Sequence, residues 1–284
     1  MGLGGYLFWT AVAREISEKK FGNNEIKFLP LESYNHGVIK LIKSEIFANN
    51  PRFFQEFKDS EFAFPLVLNN QELNYCKRDT PEKAYHRYDK HVVEQICEHY
   101  GISSPKINCE IYFTEEEKIK TENILRDHGL KDFIVIEPQS NDEYSKNKVY
   151  PFDKWQKIVN DLSSAGITIV QVGRKTDNKN LSNTINLTGQ TTFREAASII
   201  SKSKLFVSSE GGLMHAANGC GIKSVILYTG YIHPQMTSYV ENENIWINHG
   251  EEPCGMKVKC EECDLAVKSH DHRQITSLVL GILR

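Results

Sequence analysis

No stretch of this sequence approaches the run of about 20 apolar residues that a helix needs to cross a bilayer. A basic segment followed by an apolar one is missing near the start, so no secretory signal peptide is expected. Neither sign of charge dominates: 34 Lys and Arg stand against 37 Asp and Glu, for a net charge of −3. That balance does not suit a nucleic-acid binder, so no nucleic-acid partner is expected and any anion site must be local. Internal repeats and low-complexity tracts are also missing. The seven cysteines, Cys76, Cys97, Cys109, Cys220, Cys254, Cys260 and Cys263, are odd in number and mostly scattered. This argues against a disulfide framework and for a reducing, cytoplasmic setting. At 284 residues the chain is long enough for two domains, each with a core of its own.

What the sequence does have is concentrated in residues 204–230, KLFVSSEGGLMHAANGCGIKSVILYTG. Leu205, Phe206 and Val207 read as a short buried strand, residues 213–219 as a helix start and residues 224–228 as the next strand. Gly211 and Gly212 at the turn let a ligand approach the backbone. A helix N-terminus there offers unpaired N–H groups and a positive dipole end, which suit a phosphate. Glu210 and His215 flank the turn as partners for a hydroxyl or a phosphate. A lone Gly-Gly turn is as compatible with a purely structural role.

The order of its neighbours adds weight. Residues 133–159 read as a buried strand, a polar loop with Lys146 and Lys148, and a helix carrying Trp155. Residues 167–177 read as a strand ending in Gly173-Arg174-Lys175, and residues 185–203 as a short strand, a Thr188-Gly189 turn and a helix. This alternation predicts parallel strands with helices on both faces.

The ordered set resembles family 9 glycosyltransferases, the bacterial ADP-heptose:lipopolysaccharide heptosyltransferases and their relatives. The resemblance covers roughly residues 114–230. It is carried by Lys148-x-x-Pro151, Val172-Gly173, Leu187-Thr188-Gly189 and Glu210-Gly211-Gly212-x-x-His215. Where the family usually has Asp, a hydroxyl residue and Gly before the His, this chain keeps the acid in a longer form and loses the hydroxyl. The resemblance implies an α/β fold of two Rossmann-like domains facing a cleft, the GT-B type. Residues 1–112 would be the acceptor side, residues 113–270 the nucleotide-sugar side, and residues 271–284 a terminal helix. It further implies inverting transfer of a heptose-like sugar from a nucleotide-diphosphate donor. The acceptor would be a bacterial surface glycan or glycolipid, lipooligosaccharide or capsule, met at the inner-membrane face. The transfer itself would need no metal or other cofactor.

Diphosphate recognition calls for backbone N–H groups and one or two cations, and Gly211, Gly212 and Lys148 supply that combination. The resemblance assigns Lys148 to the donor; otherwise it is a solvated loop lysine. Ser140 matches the family's small hydroxyl beyond a strand end, where open parallel sheets bind ligands. Asp177, four residues past Gly173, suits ribose hydroxyls as a bidentate acceptor, or the start of a helix as an acid. Thr188 and Gly189 suit base recognition, or form a simple turn.

Gly2-Leu3-Gly4-Gly5 resembles the family's N-terminal Gly-x-Gly-Asp loop, whose Asp is the proposed general base. Gly5 stands at that place, and glycine cannot take a proton. Three alternatives stay open: Glu32, His36 or His86 serves instead, the reaction runs with a poorer base, or the chain is a non-catalytic nucleotide-sugar-binding relative. The family has a buried strand before this loop, and Met1 leaves no room for one. The N-terminal domain is therefore expected to be short or truncated and to lack a central strand, with residues 2–5 as an unsupported helix start.

Cys254-x5-Cys260-x2-Cys263 has metal-ligand spacing and makes a structural zinc or iron the expectation, with His249, His270 or His272 completing four ligands. Reduced cysteines in a structured loop are the alternative. Related heptosyltransferases carry cysteine clusters here, some with a metal, and the cluster keeps a protein O-heptosyltransferase open as a second reading. Elsewhere the pattern predicts a helix from about Tyr6, a strand at 26–29 ended by Pro30, an interrupted helix over 38–57 and a strand at 65–68. It also predicts a helix over 80–100 capped by Thr80, another from a capping box at Thr114 to His128, and a last one over 273–283.

Overall fold

The computed structural model describes residues 2–22, 26–34, 38–56, 62–69, 76–139, 144–174, 180–250 and 252–284. Helix α1 (Leu3–Phe21) has Gly2 as N-cap and ends at Gly22, whose left-handed φ of 59° suits a residue without a Cβ. Every residue from Leu7 to Ser17 on it is buried. A helix enclosed on all sides must be apolar nearly all round, as Leu7, Phe8, Trp9, Ala11, Val12, Ala13 and Ile16 make it. The expected unsupported helix start is not found: Gly4 in the first turn lies against Gly212 and His215, and the helix is enclosed from Leu7 to Ser17.

Strands β1 (Phe28–Tyr34), β2 (Val38–Leu41) and β3 (Phe64–Val67) form a small sheet in the order β2-β1-β3. Strand β1 is its centre, antiparallel to β2 and parallel to β3. Two sequence expectations fail here. Pro30 does not end the strand: it is paired with Leu66 of β3, and its carbonyl accepts from Ile42 N–H at 2.9 Å. The helix expected over 38–57 is not found in its described part, residues 38–56. They give β2 and then a short 3₁₀ turn at Glu45–Phe47 capped by Ser44.

The helix expected over 80–100 is also corrected. Strands β4 (Cys76–Asp79) and β5 (Ala84–His86) pair as an antiparallel hairpin. The Thr80 hydroxyl accepts from Lys83 N–H at 3.0 Å, so the chemistry that caps a helix here closes a turn. The helix proper, α2 (Val92–His99), starts later, with His91 as N-cap and Glu94 completing a capping box. Residues 102–113 carry no regular structure and run alongside α1. There Glu110 N–H donates to Thr10 Oγ1 at 2.8 Å and the buried Arg14 guanidinium to Asn108 O at 2.7 Å.

Helix α3 (Glu115–Asp127) begins at the expected Thr114–Glu117 capping box. Then follow β6 (Phe133–Glu137), α4 (Phe152–Ser164), β7 (Thr168–Gln171), β8 (Ile185–Asn186), α5 (Phe193–Ile200), β9 (Phe206–Ser209), α6 (Gly212–Gly219), β10 (Ser224–Tyr228), a short α7 (Pro234–Thr237), β11 (Glu243–Trp246), α8 (Glu261–Ser269) and α9 (Arg273–Leu283). The six strands form one all-parallel sheet in the order β11-β10-β9-β6-β7-β8. Its central strands are buried on both faces, as Phe133–Glu137 and Ser224–Tyr228 are throughout, which is why they read as unbroken apolar runs.

Two apolar clusters flank the sheet. One, with Trp155, Ile158, Val225 and Val279, lies between the sheet and helices α4 and α9. The other joins α1, Phe28 and Leu66 to Phe206, Met214 and Tyr239, so a single core spans both halves of the chain. The α/β class and the parallel sheet expected from the sequence are present. No helix among the described residues is long and apolar enough to cross a membrane.

Candidate functional site

The chain leaves β6, β7, β9 and β10 at the same edge of the sheet, and the groups that carry chemistry gather there, as the geometry of open parallel sheets favours. Strand β9 ends in Ser209, and Glu210-Gly211 leads into α6. No side chain caps α6, and its first turn holds no acid, so its leading N–H groups carry uncompensated positive charge. Lys148, at the end of a 3₁₀ turn (Lys146–Lys148), reaches across and forms an ion pair with Glu210 Oε2. The structure therefore brings Lys148, Glu210, Gly211 and Gly212 together. The Lys148 ammonium also stands 6.0 Å from the ring centre of Tyr231, a cation–π approach.

His215 lies on the first turns of α6 but is 3 % exposed and faces the first helix. Its Nδ1 shares a 2.8 Å hydrogen bond with Tyr239 OH, and its ring packs edge-on against Phe8 with centroids 4.4 Å apart. Burial, aided by the Lys148 charge, pushes its pKa down to about 3, so the ring is neutral near pH 7. A neutral imidazole supplies no cation for a phosphate.

Gly173, Thr188 and Gly189 form a second rim. Gly173 has φ 133° and Gly189 has φ 67°, and Gly189 N–H donates to Gly173 O at 2.9 Å. Between the rims lies Glu137, at the end of β6 and 3.8 Å from where a Cβ on Gly173 would stand. Its carboxyl is buried, its Oε2 finds no hydrogen-bond partner among the described residues, and burial raises its pKa to about 8 against the opposing charges of Arg174 and Lys148. The sequence offered one signal for it, an acid closing an otherwise apolar strand. Ser140, Asp177 and His36 lie outside the described residues.

From the N-terminal half, the β5 hairpin brings His86 to this edge. His86 Nδ1 is 3.4 Å from Tyr88 OH, and its ring centre is 6.1 Å from that of Tyr231, the residue beside Lys148. Burial lowers its pKa to about 4, with Asp79, Glu210, Lys148 and Lys257 as the charges around it. Glu32 lies elsewhere, on β1, accepting from Tyr6 OH at 3.2 Å and Tyr34 OH at 2.7 Å. Gly5 sits in the first turn of α1. Its neighbour Gly4 lies against Gly212 and His215.

The sulfurs of Cys254, Cys260 and Cys263 lie within 4.8 Å of one another, and Cys254 and Cys263 within 3.3 Å. A hydrogen bond from the Cys263 thiol pulls the Cys254 pKa below the ordinary thiol value, which favours its thiolate. Three soft donors on one side of a small space fit a thiophilic metal such as zinc or iron. The expected histidine ligand is not in place: among the described residues no His, Asp or Glu joins the three sulfurs. His270 Nδ1 is held by Tyr150 OH at 2.9 Å, His249 Nε2 approaches Ser269 Oγ at 3.4 Å, and His272 faces Asp161.

The profile of glycosyltransferase family 9 (heptosyltransferase) matches residues 75–265. Comparison with curated proteins gives no significant sequence match. Among solved structures, the family 9 glycosyl transferase from Veillonella parvula DSM 2008 superposes with a TM-score of 0.56 at 16 % identity, over 70 % of this chain and 62 % of its own. E. coli ADP-heptose LPS heptosyltransferase II gives 0.51 at 18 % identity, over 68 % and 62 %. The iron-containing dodecameric glycosyltransferase TibC from enterotoxigenic E. coli H10407 gives 0.52 at 13 % identity, over 69 % and 54 %. At such identities these likenesses show the fold, and the chain spans between about half and three fifths of their length.

Proposed function

Because this chain belongs to glycosyltransferase family 9, the heptosyltransferases, we propose that it binds a nucleotide-diphosphate sugar at the start of α6 and transfers the sugar, heptose-like, to a bacterial surface-glycan acceptor. The observation that carries this reading is the Lys148–Glu210 ion pair at the uncapped first turn of α6. Transfer breaks the bond between the anomeric carbon and the diphosphate. The charge left on the diphosphate is met by the Lys148 ammonium and the leading N–H groups of α6, which are fixed before the reaction begins. Glu210 holds Lys148 while the site is empty and accepts from sugar hydroxyls when it is full. Gly173, Thr188 and Gly189 are the proposed nucleoside side of the same site, and the family resemblance keeps Ser140 and Asp177, outside the described residues, as candidates for the same role. Residues 113–270 are the donor part and residues 1–112 the acceptor part, with residues 271–284 packed behind.

An inverting transfer needs a base for the acceptor hydroxyl. Of Glu32 and His86, His86 is the one beside Tyr231 and within the field of Lys148 and Glu210. A neutral imidazole accepts a proton, and its depressed pKa keeps it neutral at working pH. The second reading, a nucleotide-sugar-binding relative without turnover, is favoured by Gly5 alone. The cysteine cluster would hold its metal as a structural centre.

The proposed setting is cytoplasmic, at the inner-membrane face where a glycolipid acceptor is presented.

The test is a thermal-shift series with ADP, GDP and UDP. A ligand at a hundred times its Kd adds about 2.7 kcal/mol of apparent stability. Failure of every nucleoside diphosphate to raise the melting temperature counts against the proposal, and binding without transfer to any glycan supports the second reading.

A further inference from the structure

We propose that Asn147 is a positioning residue that ties Lys148 to the three-cysteine loop, so that the order of this loop sets the affinity of the α6 site for a nucleoside diphosphate. The inference rests on Lys148 being a diphosphate ligand.

Asn147 is 7 % exposed, and its carboxamide is committed to the backbone of the cysteine loop. Its Nδ2 donates to Met256 O and to Val258 O, each at 2.7 Å, and its Oδ1 accepts from Cys260 N–H at 2.9 Å. Three backbone groups on alternate residues are thus held by one side chain, which needs two donors and an acceptor, as an amide has. The Asn147 carbonyl accepts from Thr229 Oγ1 at 2.6 Å, anchoring the same turn to the end of β10. Lys148 follows directly and points at Glu210.

The loop is stitched to the other side of the site as well. Cys254 N–H donates to Gly230 O at 2.8 Å, Ala84 N–H to Gly255 O at 2.9 Å and Lys257 N–H to Glu82 O at 2.7 Å. Gly255, at φ 61°, lies so close to the hairpin that a Cβ would stand 2.4 Å from Ala84 O. One short segment therefore joins the Lys148 turn, the end of β10 and the hairpin that carries His86. Whatever orders the three sulfurs orders this segment, and Asn147 is its link to Lys148.

The experiment is a double-mutant cycle read by calorimetry with ADP, on Asn147→Ala, Lys148→Ala and the double variant of the full chain. Asn147→Ala is expected to weaken ADP binding about tenfold when Lys148 is present, and less than twofold when Lys148 is already alanine. Equal losses in both backgrounds, or no loss in either, overturn the relay. If Asn147→Ala gives no cooperative melt, Asn147→Asp keeps the acceptor for Cys260 N–H, loses both donors, and enters the same cycle. An unchanged ADP affinity in Lys148→Ala overturns the donor-site reading itself, and the relay with it.

Discussion

Gly4 of α1 lies against His215 of α6 so closely that a Cβ on Gly4 would stand 2.9 Å from His215 Cδ2 and 3.1 Å from Gly212 Cα. The first turns of two helices meet here, and neither has an acid or a side-chain cap. Two positive helix ends converge, which favours an anion nearby. Alanine at position 4 would gain helix propensity, roughly 0.5–1 kcal/mol, but overpacking costs about 1–3 kcal/mol. Gly4→Ala is expected to lower stability in urea denaturation. A stability equal to or above that of the parent would show that the seam between α1 and α6 is loose.

His86→Gln is expected to lower turnover by roughly 10²–10⁴-fold, the usual worth of a general base, while leaving ADP affinity unchanged. Steady-state rates and calorimetry on the same preparation separate the two. Full turnover would move the role of base to Glu32.

Acid should loosen the protein. Burial lowers His91 and His215 to about 3 and His86 to about 4. Below their unfolded value near 6.5 the unfolded chain binds more protons than the folded one, so this stability is full above pH 6.5 and is lost as pH falls. The loss is about 1.4 kcal/mol per pH unit per histidine. Glu137, raised to about 8, works the other way, since the folded chain keeps a proton that the unfolded chain releases above about 4.5. Its contribution falls as pH rises through that window. With three histidines against one carboxyl, urea midpoints should fall from pH 6.5 to pH 5. A flat profile would mean that these histidines are solvated.

Purified protein is expected to hold about one zinc or iron per chain, measured by elemental analysis, with three thiolates as ligands and an external group completing the set. Removing the metal with a chelator should lower the melting temperature, and Cys254→Ser should lower the metal content. Metal-free protein with an unchanged melting temperature would leave the cluster as reduced thiols.

The donor half of the fold was legible because its strands, such as Phe133–Glu137, are buried on both faces and read as apolar runs, while Thr114 and Glu117 mark a helix start. The N-terminal half was not. Thr80 uses its hydroxyl to close a hairpin rather than to cap a helix, and that choice is made by the pairing of Ala84 with Gly255, far along the chain. In the site, Lys148 and Glu210 could be read from their motifs. The enclosure of His215 by Tyr239 and Phe8, the buried carboxyl of Glu137 and the three bonds of Asn147 could not, because each depends on segments that meet only after folding.

The central claim is that Lys148 and the start of α6 bind a diphosphate, and calorimetric titration of ADP into the parent and into Lys148→Ala tests it most directly. Saturable binding to the parent is expected, with a loss of about 1.5–3 kcal/mol in the variant, the worth of a hydrogen bond to a charged group. Equal affinity in the two proteins would contradict it.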